Sequence, residues 1–162
     1  MSSVLRTIEF LGLSLWLGRD VFLSFGGAPG AFRILGSRDQ AGAIVGFALG
    51  RMHVIGIACG LALLLVRLMR TRTFASFATP AALCVVLMIA LTAVSQYMVS
   101  AKMAALRAKM GSIQAFQATA TGSPLLEEFS RLHRISVSLE SGVLLAGFAA
   151  LYLMVREIAS RP

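Results

Sequence analysis

Charge is what this sequence lacks most. Of its 162 residues only 14% are charged, where a soluble domain carries about 25%. So little charge cannot cover a water-facing surface, and the deficit falls in blocks, so lipid is the expected solvent for most of the molecule. Acidic residues are scarcer than basic ones, seven against fifteen, which leaves a net charge of +8. In a soluble protein that excess would suggest nucleic acid. Beside membrane spans it is the expected arginine content, and no nucleic-acid partner is expected. Cys59 and Cys84 lie inside apolar runs without metal-motif spacing and read as buried thiols. No nucleophile–base constellation and no phosphate-cradling glycine loop is visible, so an enzyme is not expected.

Long apolar runs are what the sequence has instead. Crossing a bilayer takes about 20 apolar residues at 1.5 Å each, and four segments qualify: residues 7–32, 40–68, 73–101 with a helical extension to 110, and 125–156. The third is the clearest, with no charge from Thr73 to Ala101. The first resembles a signal peptide, but Glu9 interrupts it and no small-residue cleavage site follows, so it reads as a retained span. It ends near "GGAPGAF", where Pro29 and the glycines favour an exit turn. "AKMAALRAKM" keeps a helical period with Met103, Leu106 and Met110 on one face, and should carry the third helix into water. "GSIQAFQATATGSP" then reads as a flexible link. Short connections predict a single-domain, all-α, integral membrane antiparallel four-helix bundle. Arg6, Arg67, Arg70, Arg72, Arg156 and Arg161 fall on the side of the termini. Arg33, Arg38, Lys102, Arg107, Lys109, Arg131 and Arg134 fall on the other. The dense "RLMRTRT" link places both termini in the cytoplasm, in a bacterial inner membrane.

Several ionisable residues fall within these spans: Arg19, Asp20, Arg51, His53, His133, Arg134 and Glu140. A charge facing lipid at mid-depth costs about 3 kcal/mol on insertion scales, so these groups are expected to turn inward. Arg51 should pair with Asp20 or Glu140, and Arg19 should snorkel or pair with the remaining acid. Gly42, Gly46 and Gly50, then Gly56 and Gly60, recur every fourth residue and form a close-packing seam. His53 shares that face, and His133, Ser136, Val137, Glu140 and Gly147 form a stripe on the last helix.

Three functions fit this pattern. The first is binding or transport of a small ion or metal species through the polar cluster, by a homodimer if transport operates. The second is a membrane electron carrier with haem b, or a metal ion, held by His53 and His133. The third is a non-catalytic scaffold whose charges only fix helix register.

"LWLGRDVFLSFGGAPGAFRIL", "AGAIVGFALGRMHVIGIACG", "YMVSAKMAALRAKM" and "FSRLHRISVSLESGVLL" together resemble the transmembrane-protein-205-like family, in the same order and over nearly the whole chain. The positions of His53 and His133 carry over. Where the human relative has a cysteine–asparagine pair, this chain has Leu139–Glu140. The resemblance implies a small integral membrane protein with a link to metal-drug resistance or efflux, and it supplies no reaction.

Overall fold

The computed structural model describes residues 2–119 and 123–159, and every element among them is helical. Helix α1 (Ser2–Phe22) passes through a π-helical stretch (Leu23–Gly27) into α2 (Ala28–Ile34). Helix α3 spans Arg38–Thr71. A 3-10 turn (Phe74–Ala78) leads to α4 (Pro80–Val94), which continues through a second π-helical stretch (Ser95–Ser100) into α5 (Ala101–Met110). Helices α6 (Ile113–Thr119) and α7 (Pro124–Ala159) complete the chain. Among the described residues, three helices are long and apolar enough to cross a membrane: Arg38–Thr71, Pro80–Met110 and Pro124–Ala159. They fit a multi-pass membrane protein. Helix α1, diluted by Arg6, Glu9, Arg19 and Asp20, falls short of that test.

Local chemistry sets the ends. Ser37 is extended and its hydroxyl accepts from the Gln40 N–H, opening α3. Arg72 closes it in the left-handed region, φ 56°, with its N–H returned to the Leu68 carbonyl. Thr79 caps α4 and Pro80 fills its first turn, so this helix begins later than residue 73. The exit turn expected at Pro29 is not made. Proline falls in the first turn of α2, immediately after the π-helical stretch, where an amide N–H is dispensable. The link after α5 is also less irregular than its composition suggests. Ile113–Thr119 is helical, while residues 120–122 lie outside the described residues, as does Arg161.

Two cores form at different heights. Leu13, Trp16 and Leu17 of α1 meet Leu63 of α3, Val85 and Met88 of α4, and Val143, Ala146 and Ala150 of α7. A smaller core joins Val99, Leu106, Met110 and Leu132, with Met103, Ile113 and Phe116 packed against it. The outward faces are apolar as well: Leu61, Leu87, Leu145 and Tyr152 are all exposed, while His53, Thr92 and Ser95 are buried. That inverts the soluble pattern and suits a hydrocarbon solvent.

Gly60 is one of the points where the helices approach tightly. A Cβ there would lie 2.6 Å from both Trp16 and Ile89, whereas one at Gly18 meets nothing within 4 Å. Gly60→Ala should therefore destabilise by about 1–3 kcal/mol, and Gly18→Ala should not, as measured by thermal unfolding in one detergent. At the opposite end Asp39 accepts from the Ser112 hydroxyl and, at 2.9 Å, from the Ile113 N–H. The hydroxyl first, and then the backbone, hold its carboxyl below the ordinary range. The stabilisation is complete above the ordinary aspartate pKa and is lost as pH falls through the lowered folded value. Ser112→Ala should raise the Asp39 midpoint in a carboxyl-carbon NMR titration.

Candidate functional site

His53 is the hub of the buried polar groups. It is 2% exposed, and its two ring nitrogens bind different helices. Nδ1 lies 2.8 Å from Gln96 Oε1 of the α4–α5 rod, and Nε2 lies 2.7 Å from Glu140 Oε1 of α7. The Ser95 hydroxyl donates to the same Glu140 oxygen at 2.9 Å. Ser95 and Gln96 open the π-helical stretch and, about 100° apart on their helix, serve α7 and α3 respectively. With Gln96 Oε1 accepting from Nδ1–H, Nε2 and Glu140 are placed to share one proton. The pair is neutral overall whichever partner holds that proton, a charge state that low dielectric favours.

Helix α1 supplies the rest. The Arg19 guanidinium donates to the Met52 carbonyl, and its Nε stands 3.4 Å from Asp20 Oδ1. Arg19 also lies over the Trp16 ring, 5.6 Å from its centroid. Asp20 is 8% exposed. Gly56, one turn from His53 on the same face of α3, leaves the space that Arg19 and the Trp16 edge occupy.

The remaining sequence candidates do not join this cluster. Arg51 pairs with neither Asp20 nor Glu140. It is exposed and lies over Phe47, 5.5 Å from the ring centroid. Two residues are about 200° of helix, so Arg51 and His53 cannot both face inward, and the imidazole occupies the interior. His133 and Arg134 are exposed, with Leu132 and Ser136 filling the interior beside them. A His53–His133 pair for haem or metal is therefore not formed: His53 has both nitrogens engaged and His133 faces outward. Among the described residues no group of three or more His, Cys, Asp or Glu side chains could hold a metal ion. The glycine seam is uneven. Gly56 and Gly60 admit α1 and α4 side chains, Gly42 lies under Arg107, and Gly46 and Gly50 have only loose neighbours.

A second polar layer lies at the end where α1 begins and α7 finishes. Glu9 takes a two-pronged bond from Arg70 at 3.0 and 3.1 Å. Arg67 donates to Glu157 at 2.8 and 2.9 Å, to Thr79 Oγ1 at 2.7 Å and to the Ser76 carbonyl at 3.2 Å. Sequence reasoning assigned Arg67 and Arg70 only to topology and missed these partners, together with Ser95 and Gln96. The available signals were Glu9 inside an apolar run and an adjacent Ser–Gln pair in an uncharged one. Glu9 and Arg70 side chains are 3% and 7% exposed, so Arg70→Met, which strands a buried carboxylate, should cost about 3–5 kcal/mol. The Glu9→Leu/Arg70→Met double variant should recover most of that in the same denaturation assay.

The sequence model of one family, a domain of unknown function designated DUF4149, matches residues 11–112. The match takes in Trp16, Arg19, Asp20, His53, Ser95 and Gln96, and stops short of Glu140. No curated protein and no solved structure matches the chain significantly. With well over half of its length matched, the chain belongs to the DUF4149 family.

Proposed function

We propose that this chain is a multi-pass bacterial inner-membrane protein, an antiparallel four-helix bundle in which α1–α2 is the fourth span, and that its buried cluster carries protons. Measured along α7 at 1.5 Å per residue, Glu140 lies about 25 Å from Glu157 and about 9 Å from Arg134. A hydrocarbon slab of about 30 Å fits between the Glu9–Arg70 and Arg67–Glu157 layer and a collar of exposed Lys102 and Arg134. The cluster then sits off-centre, nearer the collar. Arg51 is close enough to the collar for its long side chain to reach polar surroundings.

The observation that carries the reading is the 2.7 Å bond between His53 and Glu140. Two titratable side chains from separate helices share a proton where ionisable groups are expensive and most often functional. Arg19 beside them disfavours a metal cation. The proton is the small ion that this donor set accepts without leaving a net charge in hydrocarbon. Toward the termini the path meets Leu13, Leu17, Leu63, Val85 and Met88, all buried. That plug implies slow, carrier-like movement rather than a channel. The resemblance to the transmembrane-protein-205-like family, with its link to efflux, belongs to the same proposal.

Purified protein in liposomes with an internal pH dye and an imposed potassium diffusion potential tests this. Proton entry should exceed that of empty vesicles and saturate with driving force. Glu140→Gln should reduce it at least tenfold, and Arg51→Ala should leave it within about twofold. Equal flux through wild type and Glu140→Gln would refute the reading.

A further inference from the structure

One helical turn from the His53–Glu140 bond, on the side of the chain termini, four buried polar atoms have no hydrogen-bond partner among the described residues. They are Trp16 Nε1, Arg19 Nε, Asp20 Oδ2 and Thr92 Oγ1. Trp16 and Thr92 are each 1% exposed. Native interiors seldom leave such atoms unpaired, and several in one neighbourhood mark a place for a polar occupant.

Contacts at two glycines and the spacing along α4 place them on facing turns. Trp16, Arg19 and Asp20 occupy one turn of α1, and Asp20 and Trp16 lie near each other without meeting hydrogen-bond geometry. The Trp16 ring crosses the face of α3 between Gly56 and Gly60. Its Cε2, bonded to Nε1, lies at the Gly56 end, on the side of Arg19. At Gly60 the same ring meets Ile89 of α4. Thr92 is one turn after Ile89 and one turn before Ser95, so its hydroxyl sits on the stretch of α4 between the indole and the Glu140 ligand.

The chemistry of the four atoms selects the occupant. A cation would face the Arg19 guanidinium with only two oxygens to hold it. An anion would face two carboxyl groups, Asp20 and Glu140. Water accepts two hydrogen bonds and donates two. It can accept from Trp16 Nε1–H and Arg19 Nε–H and donate to Asp20 Oδ2 and Thr92 Oγ1, completing all four.

We infer that Trp16, Arg19, Asp20 and Thr92 form an ordered-water site beneath the His53–Glu140 pair, the inner step of a proton relay that ends on Asp20. In each transfer the water exchanges its bond from Arg19 Nε–H for one from the pair, takes that proton as it releases another to Asp20 Oδ2, and is restored when the Arg19 bond re-forms. The relay rests on the proton-carrying reading; the water site does not.

The chain has one tryptophan, so protein labelled with 15N-tryptophan gives one indole N–H signal. In nanodiscs that signal should show magnetisation transfer from water. Thr92→Val, equal in shape and lacking the hydroxyl, should weaken the transfer at least fivefold and reduce proton flux at least tenfold. Thr92→Ser should keep both within about twofold, which separates loss of the hydroxyl from loss of the fold. No transfer in the wild type overturns the site, as does transfer that survives undiminished in Thr92→Val. Clear transfer in a wild type whose flux equals that of empty vesicles sinks proton carriage and leaves the water site standing.

Discussion

A single imidazole ties three helices together. His53 reaches Gln96 with one nitrogen and Glu140 with the other, and an apolar interior leaves those groups few alternatives. In water each would find solvent. In lipid, an imidazole or carboxylate without a partner carries its full desolvation penalty. The requirement that each such group be met from across the bundle fixes how α3, α4 and α7 are rotated. Gly56 extends the same constraint to α1, because the missing side chain lets Arg19 reach the Met52 carbonyl.

The chain carries two separate polar layers along its length. Near the termini, Glu9–Arg70 and Arg67–Glu157 are closed on themselves and on Thr79 and the Ser76 carbonyl. Such pairs specify register, and their removal strands charge. Next comes an apolar plug around Met88, which is 0% exposed. Beyond it lies the cluster of His53, Glu140, Ser95 and Gln96, joined by side-chain hydrogen bonds. At the far end Leu106, Met110 and Leu132 build a small separate core, fastened to the start of α3 by Asp39 and Ser112.

How much of this was legible in the sequence depended on how local the signal was. The apolar runs marked α3, α4 and α7, and the glycine spacing placed His53 on the inward face because both facts lie within one helix. The same angular arithmetic forbids Arg51 from sharing that face, but charge drew attention to it and Arg51 proved exposed. Gln96 carries no charge and so raised no alarm, although it holds half of the hub. The Glu9–Arg70 bond joins the first helix to the end of the third, and nothing near either residue encodes that meeting. Pro29 read as a turn because proline usually ends helices, and the π-helical stretch before it removed the need.

The most direct test of the central claim is the contact itself, in a bilayer. Solid-state NMR on protein carrying 15N-histidine and 13C-glutamate in lipid measures the dipolar coupling between His53 Nε2 and the Glu140 carboxyl carbon. The account predicts a strong coupling, fitting an N···O separation of 2.7 Å, with His53 shielded from water while His133 exchanges freely. Absence of that coupling, with both histidines responding alike to solvent, would contradict it.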